Sequence, residues 1–317
     1  MSQLPLVIVN PTSARGATGE SWPAMASDLR MHFGAFNCVF TKRAGDGRKL
    51  AQQAASEGRR LIIACGGDGT IAEIANGILD AGAECELGIL PSGTGGDFRR
   101  SLKLPARTIA CARALRNGRT RLMDVGHVTY LNHEGETETR CFLGVASFGL
   151  SPAIIERVKA ERDDSLRSQM LRRMAGNLSF AAATLLTTLQ NSATSVRVQV
   201  DESSERRLTV TNLCVANARY FGGGMKIAPG ALLDDGRFDI ISVGDMKALE
   251  IIRNAPRLYM GKHLTLAQVQ HGRARRLTAL PARKDEKVAI EVDGELPGHL
   301  PATFEVWPQA LRVRCPA

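Results

Sequence analysis

Three glycine-rich turns hold the residues whose types and spacing could do chemistry: NPTSARG (10–16), GGDGT (66–70) and PSGTGGDF (91–98). Glycine lets the backbone approach a phosphate closely. A helix starting just after such a turn adds free N–H groups and the positive end of its dipole. One glycine turn after a strand is commonly only a turn; three together make a phosphate site the stronger reading. Asp68 lies inside the second turn, where it would repel a bare pyrophosphate. It becomes useful if a magnesium ion bridges it to phosphate oxygens, or if it accepts a proton. GDGTIA fits the loose GxGxxG/A dinucleotide pattern, which is weak evidence alone. The chain has no GK[ST] and no HRD with DFG, and Ser147 in VASFG lacks the first glycine of a nucleophile elbow. On their own, Asp234 and Asp235 before RFDIISV, and Asp293 and Glu295 in VDGE, read as ordinary hairpin-turn acids. The six histidines show no metal-ligand spacing.

The elements that must position these turns alternate. LPLVIVN (4–10), FNCVFT (36–41), the apolar run opening 59–70 and ELGILP (86–91) read as strands. Helical spacing occupies 19–33, 45–57 and 71–82. Strand–helix alternation predicts a parallel α/β sheet, with the glycine turns at the carboxyl edge of its strands. After Asp124 the pattern changes to period-2 runs at 124–130, 139–149, 195–200, 207–219, 237–244, 287–295 and 303–314. These predict a mainly antiparallel β-sandwich with helical insertions at 151–190 and 245–262. The expected domains are therefore 1–123, joined by a final strand at about 304–317, and 124–303.

Composition narrows the partners. The 317 residues suffice for about two domains. With 44% hydrophobic and 23% charged residues the chain is an ordinary globular one. Lys and Arg exceed Asp and Glu by 41 to 32, a net +9, which points to nucleic acid, an anionic membrane surface or a phosphate-bearing small molecule. Aromatics at 5% are thin for stacking on bases, so nucleic acid is not expected. Seven cysteines without a CxxC pair indicate neither a zinc ribbon nor a disulfide framework, and a reducing cytoplasm fits. No signal peptide or membrane-spanning run is expected, so any membrane contact would be peripheral.

Taken together, NP-T-S near the start, GGDGT, PSGTGGDF, NARYFGGGMKIAPGALLDDGRFDI (217–240) and VDGE (292–295) resemble the diacylglycerol kinase catalytic-domain family of soluble bacterial lipid kinases, related to sphingosine and ceramide kinases. GGDGT also occurs in NAD kinases; the ordered set is far more specific. The resemblance implies an ATP- and Mg²⁺-dependent lipid kinase, with diacylglycerol as first substrate and ceramide or a sphingoid base as second. It implies an ATP site at Asn10, Pro11, Thr12, Ser13, Ala14, Thr41, Gly66, Gly67, Asp68, Gly69, Thr70, Ser92, Gly93, Thr94 and Asp97. It implies catalysis by Asp68 together with Asp293 and Glu295, one of which is the general base. A metal is implied at Asp235 with the carbonyls of Leu232 and Arg237. It further implies work at the inner face of the cytoplasmic membrane, on a lipid in an anionic surface; a homodimer stays open. The basic segment 154–190 (Arg162, Arg167, Arg172, Arg173) and residues 248–262 are the expected membrane-facing elements, and a helical hairpin packed on the β domain is the plainer reading of 154–190. Gly96 departs from the family, which commonly carries Asn there, so a side-chain amide is missing from the nucleotide loop.

Overall fold

A computed structural model describes residues 3–93, 95–163, 193–283 and 285–316. The strands β1 (Leu6–Val9), β3 (Leu61–Gly66) and β4 (Glu86–Pro91) are short apolar runs that stop at Asn-Pro or at glycines. They pair in parallel with one another and with β2 (Asn37–Phe40). Both faces of this sheet are covered. On one side α2 (Asp46–Ser56) and α3 (Asp68–Ala81) contribute Ala51, Ala54, Ile71, Ile74 and Ile78 to a core with Ile8, Ile62 and Leu87. On the other, α1 (Ala17–His32) and α5 (Thr108–Asn117) bring Trp22, Leu29, Cys111 and Leu115 against Val7, Val9 and Ile63. Burial on both faces explains why these strands read as continuous apolar runs, each fully buried aliphatic side chain adding about 1.5–3 kcal/mol.

The second half is antiparallel. It comprises β5 (Arg119–Leu131), β6 (Thr137–Phe142), β7 (Val145–Gly149), β8 (Thr194–Val200), β9 (Arg206–Ala216), β10 (Phe238–Gly244), β11 (Val269–Ala274), β12 (Arg276–Pro281), β13 (Ala289–Val292) and β14 (Glu295–Cys315). Its core stacks Phe142 on Phe238 at 5.5 Å, with Phe304 edge-on at 6.4 Å. The long strands β5 and β14 tie the halves together: β14 follows β5 for most of its length and ends in parallel with β4 at Arg312–Glu86 and Val313–Leu87. The expected boundaries near 123 and 304 thus fall inside strands that run through both halves, and β14 changes register between Trp307 and Leu311.

Two features depart from the sequence reading. The run 139–149 is two strands, β6 and β7, broken at Leu143–Gly144, because those backbone N–H groups bond a carboxylate from elsewhere in the chain. α5, β11 and β12 have no counterpart in the reading. Of the helical stretch 151–190, only α6 (Leu150–Asp163) belongs to the described residues, and the arginines at 167, 172 and 173 lie outside them. The later helix is α7 (Ala248–Tyr259). Among the described residues no helix is long and apolar enough to cross a membrane.

Candidate active site

Asn10 ends β1 and organises the first turn. Its carboxamide oxygen accepts the Thr12 N–H (3.1 Å) and hydroxyl (2.8 Å), while its amide donates to Thr70 Oγ1 (2.9 Å) in the second turn. Pro11 accepts the Gly19 N–H at 3.1 Å. Ala14, Arg15 and Gly16 follow with φ of 53°, 61° and 93°. Two non-glycine residues in the left-handed region carry strain of about 1–2 kcal/mol each, which the surrounding contacts must hold.

The second and third turns touch through glycine. A Cβ on Gly93 would lie 2.4 Å from the Gly67 Cα, so backbone meets backbone with no room for a methyl group. Ser92 donates its N–H to Gly66 O (2.9 Å) and pairs its hydroxyl with Thr18 at 2.7 Å. Gly67 precedes α3, whose first turn contains Asp68, Gly69 and Thr70. Asp68 points away from the α3 axis and caps the next helix, α4 (Asp97–Ser101): its two oxygens accept the N–H groups of Asp97 (3.1 Å) and Phe98 (3.2 Å). Asp97 in turn accepts the Gly223 N–H at 2.7 Å, joining the third turn to the GGG segment, and pairs with Arg100 at 3.0 Å. Burial pushes the Asp97 carboxyl upward, the Gly223 bond opposes this, and the nearby Asp68 charge adds to the rise. Gly96, where the resemblance implies Asn, has φ +66°. Asn is the residue after glycine that best tolerates that region, so the exchange preserves the loop's conformation. The Asp68 cap and an Arg100 bond to the Gly95 carbonyl order the loop without the amide.

A cavity of about 330 Å³ lies over these turns. Of the residues that the resemblance places around ATP, Asn10, Thr12, Ser13, Thr41, Gly67, Gly69 and Thr70 line it. Lys42, Arg43, Ala44 and Glu73 also line it and were not foreseen. Glu73 accepts the Gly45 and Gly47 N–H groups at 2.9 and 3.0 Å and so fixes the start of α2 beside the cavity. Lys42 and Arg43 place two cations on the wall; a basic pair directly after Thr41 was the available signal. Pro11, Ala14, Gly66, Asp68, Ser92, Gly93 and Asp97 do not line it, and Thr94 lies outside the described residues.

Among the described residues of the C-terminal half, Glu295 lines this wall. Asp293, two residues earlier, turns inward. Its Oδ2 accepts the Leu143 N–H (2.8 Å) and its Oδ1 those of Gly144 (2.9 Å) and Val145 (3.2 Å). Burial raises its carboxyl while those three bonds hold it down. The separation of the two acids follows from the turn: Asp293 and Gly294 have φ of 49° and 85°, which reverses the chain and presents Glu295 on the cavity side. Beneath them Glu291 is 4% exposed, accepts the Gly294 N–H at 2.7 Å and bonds the Ser147 hydroxyl. Burial pushes its carboxyl up to about 7.

The DDG turn is held by Asp124, a fully buried residue. Its oxygens accept the Gly236 (2.6 Å) and Gln309 (2.8 Å) N–H groups, and its own N–H donates to Leu233 O (2.7 Å). Asp235 accepts the Arg237 N–H at 3.1 Å and lies 3.4 Å from an Arg273 nitrogen. Leu232, Asp235 and Arg237 do not line the cavity. A carboxylate with two carbonyls is an all-oxygen donor set of the kind Mg²⁺ takes, and Arg273 is a competing cation on the same carboxylate. Among the described residues no group of three or more His, Cys, Asp or Glu is placed to hold a metal.

Residues 5–128 match the diacylglycerol kinase catalytic domain, and residues 160–315 match the YegS C-terminal NAD kinase beta sandwich-like domain. The chain thus joins a diacylglycerol kinase catalytic domain to a YegS-type C-terminal domain. It is 28% identical over 300 residues to the diacylglycerol kinase of Bacillus subtilis (strain 168), covering 94% of this chain and 91% of that one. It is 26% identical over 311 residues to that of Staphylococcus carnosus (strain TM300), covering 98% and 94%. Two solved chains from Bacillus anthracis str. Sterne superpose on 99% of it, with TM-scores of 0.75 and 0.71 at 23% and 22% identity, over 95% and 97% of their own lengths. At that identity the superposition shows the fold, an N-terminal α/β unit followed by an antiparallel β-rich unit. Residues of NP-T-S, GGDGT and VDGE line one cavity here, while the described residues of the third glycine turn and the DDG turn do not.

Proposed function

We propose that this lipid kinase transfers the γ-phosphoryl group of ATP to the free hydroxyl of diacylglycerol, giving phosphatidic acid, ADP and a proton. One observation carries the reading: Glu295, from the C-terminal half, shares a cavity wall with the glycine turns and the cations of the N-terminal half. The start of α3 and the N–H groups of Gly67–Thr70 suit phosphate oxygens, and Lys42 and Arg43 offset their charge. Phosphoryl transfer asks the protein mainly for positioning and charge neutralisation. Glu295 takes the proton from the attacking hydroxyl. Asp293 and Glu291 fix the turn that presents Glu295. Asp68 and Asp97 order the loop closing the nucleotide side.

Mg²⁺, when bound, neutralises phosphate charge. A separate metal, away from the phosphates, is the one we assign to Asp235 with the Leu232 and Arg237 carbonyls on the DDG turn, at the expense of the Arg273 contact. In this reading residues 1–123 with the end of β14 bind ATP, residues 124–303 bind the lipid, and the protein works as a peripheral protein on the inner face of the cytoplasmic membrane. The test is transfer of labelled γ-phosphate, with and without Mg²⁺, to micelles of diacylglycerol, ceramide or sphingosine, with NAD in parallel. Labelled phosphatidic acid supports the proposal. Labelled NADP, or no transfer to any lipid, overturns it.

A further inference from the structure

A lipid acceptor obliges the protein to meet a bilayer, and the geometry points to the outward face of α7 as the surface that rests on anionic lipid; this inference rests on the lipid-kinase reading. Ile251, Asn254 and Leu258 form the half-buried face of α7, with Leu258 packed on the core beneath β10 and β11. A helix docked on a soluble domain ordinarily turns its polar side outward. Here the opposite arc carries Leu249, Ile252, Pro256 and Tyr259, at spacings of three, four and three, continued by Met260 after the helix end. Leu249 is 76% exposed, Ile252 37%, Tyr259 50% and Met260 55%. At about 100° per residue, these side chains fall within an arc of about 100°. An exposed apolar stripe of this kind marks a contact surface.

Charge identifies what it contacts. Arg253 and Arg257 border the stripe and Lys262 follows it, all exposed and without an ion-pair partner among the described residues. The helix's one acid, Glu250, bonds the Lys247 N–H at 3.1 Å. Apolar side chains edged by cations suit the headgroup boundary of an anionic membrane, and a helix of this length lies in that plane rather than crossing it. The surface is also linked to the site. The Leu258 carbonyl accepts the Lys226 N–H at 3.1 Å, Phe221 and Met225 close the adjoining hairpin, and Gly223 within it donates to Asp97.

The test is sedimentation with phosphatidylcholine vesicles made with and without phosphatidylglycerol, at low salt. The wild-type chain should bind the anionic vesicles preferentially. Arg253→Ala with Arg257→Ala should weaken that binding about thirtyfold, and Leu249→Ser with Met260→Ser by about tenfold or more. Both variants should keep the wild-type thermal midpoint and the wild-type rate on a short-chain diacylglycerol dissolved as monomers, while losing rate on vesicle-borne diacylglycerol. Vesicle binding unchanged in both variants would overturn the inference. So would a change in self-association with vesicle binding intact, which would assign the face to a second copy of the chain. No transfer to either acceptor by the wild type would instead remove the lipid-kinase reading, and the vesicle arms would still report on the surface.

Discussion

Asp293 and Glu295 are two residues apart, and the structure gives them opposite jobs, so their substitutions should fail in opposite ways. Asp293→Ala strands three backbone N–H groups, at Leu143, Gly144 and Val145, inside the break between β6 and β7. Hydrogen bonds to a charged partner contribute about 1.5–3 kcal/mol each, and three on one carboxylate are not additive. The expected loss is about 3–5 kcal/mol, a large share of the 5–15 kcal/mol that holds a typical protein together. Glu295→Gln keeps the shape at an exposed position, so stability should stay within about 0.5 kcal/mol. Removing a general base should lower kcat by roughly 10²- to 10⁴-fold, or about 3–5 kcal/mol of barrier. Urea unfolding and phosphate transfer measured on the same preparations read both quantities. The rate per folded molecule of Asp293→Ala, taken well below its melting temperature, should remain within about tenfold of wild type. A fully stable Asp293→Ala without transfer, or a Glu295→Gln with undiminished kcat, would refute the division of roles.

Three further outcomes follow from the same geometry. A carboxyl held near 7 in the folded chain and near 4.5 when unfolded, as for Glu291, gives stability that is fully present below the unfolded value and lost as pH rises through 7. Glu291→Gln mimics the protonated form, so urea unfolding should show the wild type losing about 3 kcal/mol relative to the variant between about pH 4 and pH 8; parallel pH curves would contradict this. Gly93→Ala drives a methyl group against Gly67 and should destabilise by about 1–3 kcal/mol and weaken ATP binding, read by calorimetry with ATP. Asp124→Ala removes the acceptor for Gly236 and Gln309 and should lower stability by about 2–4 kcal/mol, checked by the thermal midpoint.

What could be read in the sequence was whatever depends on neighbours in the chain. The glycine turns were legible because residue type and local spacing define them, whereas Thr41 entered only through the resemblance. Asp124 was legible only as the place where the pattern changes. Its partners lie 112 and 185 residues away, and backbone N–H groups leave no trace in side-chain identity. Glu291 sat in an alternating run as though one face of β13 met water; in the fold that face is covered, and the side chain bonds Ser147 and the Gly294 N–H. Asp293 and Glu295 could not be told apart because the separating feature is a left-handed turn, visible only in φ. The break at Leu143–Gly144 was hidden for a similar reason: an acid 150 residues further on makes it.

The most direct test is a single-turnover assay of labelled ATP with diacylglycerol micelles and Mg²⁺, comparing wild type with Glu295→Gln. We expect labelled phosphatidic acid from the wild type, and from the variant unaltered ATP binding with transfer reduced at least about a hundredfold. Equal transfer by both proteins, or ATP bound by the wild type with no lipid product, would contradict a site assembled from the glycine turns of one half and Glu295 of the other.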